Sequence, residues 1–154
     1  MKITLLWIGK TRNVHLHRLI DDYRMRLKRF CDVALLEVQP VKTQSAKDRL
    51  AALESEKLLA RVGASDYLVL LDSAGQSLTT ETFAAWLRRH RDQATRNLVF
   101  AIGGHEGLSQ AIKDRADFSL SLSAFTFTHE MARCLVVEQI YRAFCVIQGY
   151  PYHR

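Results

Sequence analysis

Proline and cysteine are scarce in this chain of 154 residues, which holds two of the first and three of the second. No stretch rich in Pro, Gly or Ser divides it, and no internal repeat or low-complexity run is visible, so one domain over residues 1–154 is expected. At this length about two-thirds of the unfolded chain's surface is buried on folding, enough for a core without staples. The cysteines are odd in number and show no Cys-x-x-Cys spacing, which excludes a disulfide framework or a zinc ribbon. Cys134 and Cys145 fall on one predicted helix roughly 16 Å apart, too far to bridge, and all three cysteines read as small buried hydrophobes. The six histidines include no His-x-x-x-His pair, so no metal is expected. No apolar run reaches the roughly 18 residues of a membrane span. The opening run Ile3 to Ile8 is also too short for a secretion signal, and a cytoplasmic protein is expected.

The positive charge is unevenly placed. The formal net charge is +6, and the whole excess lies in the first thirty residues, where Asp21 and Asp22 are the only acids. Arg18, Arg24, Arg26, Lys28 and Arg29 share one predicted helix. Such a cluster suits RNA or another polyanion, against the plainer reading of a solvated helix face.

Short β-rich runs alternate with helical patterns. Strands are expected at Lys2–Gly9, Val33–Gln39, Asp66–Asp72, Asn97–Ile102 and Phe118–Leu122. Helices are expected at His15–Phe30, Ala46–Val62, Thr80–Gln93, Ser109–Ala116 and Glu130–Gln148. The first helix would bury Leu16, Leu19, Ile20, Tyr23 and Leu27; the second would align Leu50, Leu53, Lys57 and Leu58. Strands separated by helices indicate an α/β fold, a mostly parallel sheet with helices on both faces. In such sheets ligands sit beyond the C-terminal ends of the strands. Three of those ends carry pocket-like residues: Leu71 to Gly75, Gly103 to Gly107 and Leu122 to Thr128. The last helix is apolar all round, which predicts burial on every side and, in so small a domain, a twofold dimer built on it.

The motifs are individually ambiguous. Gly103-Gly104-His105-Glu106-Gly107 is neither a Walker A loop nor a dinucleotide fingerprint, and its glycines serve either a tight turn or a close ligand. Glu106 would repel a phosphate, so a nucleoside without phosphates fits this turn better. Ser123, Thr126 and Thr128 either line a site or satisfy local backbone groups. Arg142 has Glu138 four residues before it, so it is either an intrahelical pair or a residue of an interface or site. The tail Tyr150-Pro-Tyr-His-Arg154 is either frayed or equipped to stack on a base and grip a phosphate.

Taken together, Ile102-Gly-Gly-His-Glu-Gly-Leu-Ser109, Leu120-Ser-Leu-Ser-Ala-Phe-Thr-Phe127, His129-Glu-Met-Ala-Arg133, Val137-Glu-Gln-Ile-Tyr-Arg-Ala143 and the terminal Tyr150-Pro-Tyr-His-Arg154 resemble the ribosomal RNA large-subunit methyltransferase H family, of the SPOUT class of trefoil-knotted methyltransferases. The opening ten residues and Leu71-Asp72 resemble it too, so the likeness spans essentially the whole chain. It implies S-adenosylmethionine as methyl donor, with no metal. The acceptor it implies is N3 of a pseudouridine in helix 69 of 23S rRNA, on the ribosome. A C-terminal knot and a homodimer are implied as well. Carried over by position, the donor-binding residues are Leu71, Gly103, Leu122, Ser123, Ala124, Phe125, Thr126 and Phe127, and the candidates for catalysis are His153, Arg142 and Tyr152. The chain departs from the family's habit at His105, where proline or a small residue is frequent, and at Thr128, where proline is usual. Two alternatives stand beside this expectation: a SPOUT enzyme acting on transfer RNA, and a non-catalytic ribosome-binding module of the same fold.

Overall fold

The computed structural model describes residues 1–42 and 46–151. Strands and helices alternate along it: β1 (Lys2–Ile8), α1 (Val14–Leu27), β2 (Asp32–Val38), α2 (Lys47–Leu59), β3 (Tyr67–Ser77), α3 (Thr80–Asp92), β4 (Asn97–Ile102), α4 (Gln110–Arg115), β5 (Phe118–Ser121) and α5 (His129–Ile147). The strands form one sheet in the order β2-β1-β4-β3-β5, and every pairing is parallel. The fold is α/β with helices on both faces, as the alternation predicts.

Two-residue periodicity explains the layers. Ile3, Leu5 and Trp7 of β1 and Leu98, Phe100 and Ile102 of β4 point into a core shared with α1, α3 and α5. Their neighbours Leu6, Ile8, Val99 and Ala101 point the other way, onto Leu58 of α2 and Ile112 of α4. Central strands buried on both faces need continuous apolar runs, and β1, β3 and β4 carry them. Helix starts are marked by short polar side chains: the Asn13 side-chain Oδ1 accepts the N–H groups of His15 and Leu16, and the Thr79 hydroxyl accepts that of Thr82. Cys134 and Cys145 are buried, and burial pushes the half-buried Cys31 thiol up to about 12.

The structure differs from the expectation in four places. On α1, Leu19 is exposed, because the packing against the core runs along Leu16, Ile20, Tyr23 and Leu27. On α2, Lys57 is exposed while Ala51, Glu54, Ser55 and Leu58 face inward. Strand β3 continues past Asp72 to Ser77 through an irregular stretch that reads as a turn in sequence. Finally, α5 is covered largely by its own chain. It packs against both α1 and α3, and nine of its nineteen residues are buried within the single chain. What stays exposed or half-buried includes one stripe, Met131, Leu135, Glu138, Arg142 and Val146, at the three- and four-residue spacing that aligns side chains on one helix face.

Candidate functional site

Three loops meet where β3, β4 and β5 end. Strand β3 leaves its ladder after Leu71: both Leu71 and Gln76 stand opposite Leu120, so residues 72–75 buckle outward. The buckle returns so tightly that a Cβ on Gly75 would lie 2.7 Å from the backbone of Ser119. Beyond β4, the Gly107 N–H donates to the Gly104 carbonyl at 3.1 Å, and Gly107 takes a positive φ of 86° that suits glycine. Beyond β5, the Ser121 hydroxyl donates to the Ser123 carbonyl at 3.1 Å, and the Ser123 hydroxyl accepts the Phe125 N–H at 3.0 Å. The loop ends where the Thr128 hydroxyl accepts the Met131 N–H at 3.3 Å and caps α5. A side-chain cap thus stands at the position where proline would have restrained φ.

Helix α2 supports the glycine turn from behind. Buried Glu54 accepts the Val41 N–H at 3.3 Å, and its carboxylate lies so close to Gly104 that a Cβ there would collide with it. The Ser55 hydroxyl accepts the Ser109 N–H at 2.9 Å just past the turn. A buried carboxylate and a buried hydroxyl thereby fix the backbone on which the site is built.

The loops enclose a cavity of about 300 Å³, within the size class of small-molecule sites. Its walls are apolar (Leu71, Ile102, Leu108, Leu120, Leu122, Phe125, Phe127) and hydroxylic (Ser73, Ser121, Ser123, Thr126), with Gly103, Gly104 and Gly107 between them. His129 and Ala132, on the first turns of α5, complete it. Asp72 and Lys113 stand among these uncharged groups as an ion pair at 2.9 Å. The Lys113 ammonium and then the Ala74 N–H hold the Asp72 carboxyl below the ordinary carboxylate range. Burial, and after it the neighbouring Arg133 guanidinium, keep the His129 imidazole below its ordinary value.

The family description "Predicted SPOUT methyltransferase" matches residues 1–153. This chain belongs to the SPOUT methyltransferase family. A protein of Geobacter sulfurreducens named "Ribosomal RNA large subunit methyltransferase H" is 42% identical over 153 residues, 99% of either chain. A relative of the same name from Leuconostoc mesenteroides is 36% identical over 159 residues, covering both chains completely.

Of the donor-binding residues that the family resemblance implies for this SPOUT chain, Leu71, Gly103, Leu122, Ser123, Phe125, Thr126 and Phe127 line the cavity; Ala124 belongs to the same loop but not to the wall. Phe125 is 81% exposed, so only part of its side chain faces the cavity. Arg142 is not at this cavity. It lies on the open stripe of α5, where its Nε and Nη2 donate to the Glu138 Oε1 at 2.9 and 2.7 Å. Tyr152 and His153 lie outside the described residues.

Sequence reasoning assigned no role to Lys113, Glu54 or Arg133. Arg133 is buried; its guanidinium donates to the Ile8 carbonyl at 2.6 Å and the Thr11 hydroxyl at 3.0 Å and stands 5.2 Å over the Trp7 ring. One turn earlier, the Glu130 carboxylate accepts the N–H groups of Arg12 and Asn13 at 2.7 and 3.0 Å, and these bonds help hold its pKa down. Together they clamp the first turns of α5 to the end of β1. The available signal was the spacing Glu130-x-x-Arg133, which sets opposite charges one turn apart at a helix start.

Proposed function

We propose that the cavity binds S-adenosylmethionine and that the enzyme transfers its methyl group to N3 of a pseudouridine in helix 69 of 23S rRNA, on the assembled ribosome. The observation that carries the reading is the wall of the cavity: apolar and hydroxyl groups, glycine backbone, and an internally balanced Asp72–Lys113 pair. That chemistry suits a nucleoside lacking phosphates. A phosphate would want unopposed cations or free backbone N–H groups, and the one lysine among the described wall residues is already paired with Asp72. The names of the full-length relatives support large-subunit rRNA as the substrate.

In this reading the backbone of Gly103 and the loop Leu122 to Phe127 hold the adenosyl part, and Leu71 packs against it. When bound, the donor supplies a methyl group on a positively charged sulfur. The protein's work is then alignment of the acceptor and removal of its N3 proton. His153 takes that proton, while Arg142 and Tyr152 steady the base.

These three residues act across a homodimer. His129 lines the cavity, and Ile147 ends the same helix roughly 27 Å away at 1.5 Å per residue. Beyond it Tyr150 packs on Phe30 with ring centroids 6.1 Å apart. Arg142 on that helix stands away from the cavity of its own chain, and in this reading it serves the partner's cavity together with Tyr152 and His153. The stripe Met131, Leu135, Arg142 and Val146 on α5 is the surface on which the two copies pair. A C-terminal knot belongs to the same reading.

The decisive assay incubates labelled donor with ribosomes lacking this modification and maps the labelled base. Label at N3 of the helix 69 pseudouridine is expected; label on another base, or none, overturns the assignment. Substituting His153→Ala should greatly reduce turnover while donor affinity stays near the wild-type value. Unchanged turnover removes His153 from the mechanism.

A further inference from the structure

We infer that Asp72 and Lys113 form the subsite for the α-aminocarboxylate end of the donor, and so decide which adenosyl compounds the cavity accepts. The inference rests on the donor reading above. Asp72 and Lys113 are the two carboxylate and ammonium groups among the described lining residues, and they stand at the wall 2.9 Å apart. A zwitterionic amino acid end carries the same two charges, and it pairs with them crosswise, its ammonium on Asp72 and its carboxylate on Lys113. No other part of an adenosyl ligand calls for a cation and an anion side by side.

Both groups are poised rather than locked. Lys113 comes from the middle of α4 and is 38% exposed in its side chain, so its flexible stem can turn toward a ligand carboxylate. Asp72 is fixed more firmly. It opens the buckle of β3, one carboxylate oxygen accepts the Ala74 N–H at 3.0 Å, and the other faces Lys113. The bond to the backbone keeps that carboxylate oriented when the lysine shifts. An exposed lysine held by one acid contributes little to folding, and fold stability alone gives no reason for the pair to stand at the cavity wall.

The test compares two ligands that share the adenosine part. Isothermal titration measures S-adenosylhomocysteine, which has the amino acid end, and 5′-methylthioadenosine, which lacks it, on the wild type, Lys113→Met and Asp72→Asn. Each variant is first checked by circular dichroism for an unchanged melting curve. Both substitutions are expected to weaken S-adenosylhomocysteine at least tenfold and to leave 5′-methylthioadenosine within twofold. Parallel losses for the two ligands would mean that the pair serves the adenosine part, and no loss for either would mean that it serves none; both results overturn the subsite. A wild-type protein that binds neither compound overturns the donor reading itself, and the subsite with it.

Discussion

Arg133 is the side chain on which the shape of the site most depends. It is buried beneath the first turns of α5 and bonds backbone and side chain at the far end of β1. A buried charge held by hydrogen bonds is costly to remove, because its acceptors are left without donors. Arg133→Met should therefore lower unfolding free energy by about 2–3 kcal/mol, read from urea titration. Lysine at that position should recover part of the loss but cannot reach both acceptors as a fork does. Gly75 is the second such position, since a methyl group there meets the Ser119 backbone. Gly75→Ala should cost about 1–3 kcal/mol and weaken donor binding together with stability.

Protonation is also a residue-scale property. His129 has a folded value below its ordinary 6.5, so the unfolded chain takes up the proton first as pH falls. Stability from this group is complete above pH 6.5, declines as pH drops below it, and levels off at the folded value. The sign for Asp72 follows from its depressed carboxyl: its contribution is complete above the ordinary value of 3.8 and is lost as pH falls through the folded value. Chemical denaturation between about pH 8 and pH 5 should show a decline that is smaller in His129→Gln. An unchanged slope in that variant contradicts the assignment.

At the scale of elements, α5 is the helix on which the proposed dimer is built. Its own chain covers the side facing α1 and α3, leaving the stripe of Met131, Leu135, Glu138, Arg142 and Val146 least covered. Leu135→Glu puts a carboxylate beside Glu138 on that stripe. It should convert the proposed dimer into a monomer in sedimentation velocity, with the helical spectrum retained; a dimer that persists locates the interface elsewhere, and a monomeric wild type contradicts the dimer itself. Much of this element was legible beforehand, because its apolar residues announce a buried helix between Glu130 and Gln148, and the observed bounds differ by one residue at either end. Which side meets a neighbour was not legible. Composition records how much surface must be buried and is silent on whether α1 or another molecule buries it. The extension of β3 was hidden for a related reason. Asp72-Ser-Ala-Gly75 has the composition of a turn, and only the backbone of β5 lying against Gly75 draws the chain onward as a strand. Asp72 and Lys113 lie on separate elements far apart in the chain, and no periodicity carries that distance. The three loops that form the cavity were visible as strand ends with unusual glycine and hydroxyl content, since parallel sheets open their sites at those ends.

At the scale of the whole molecule, the first thirty residues supply the net positive charge of +6. The structure divides that charge into two kinds. Arg24 is bound to Asp21 and Arg26 to Asp22, each at 2.7 Å, and Arg26 lies over the rings of Tyr23 and Tyr141. Arg18, Lys28 and Arg29 are exposed on the same helix or just past its end. If α1 meets ribosomal RNA, charge reversal at Arg18 and Arg29 should lower the slope of log affinity against log salt by about 0.7–0.9 for each phosphate that is no longer neutralised. Ribosome binding with an unchanged slope would separate α1 from the RNA.

The cavity at the ends of β3, β4 and β5 is the proposed donor site of this SPOUT methyltransferase, and calorimetry of the purified protein with S-adenosylmethionine probes it without any RNA present. Saturable heat is expected, and it should disappear in Gly103→Val, whose Cβ would collide with the Gly107 carbonyl and the Leu108 side chain and so displace the glycine turn of the wall. A wild-type protein that keeps its folded spectrum yet takes up none of this donor would rule the cavity out as the donor site.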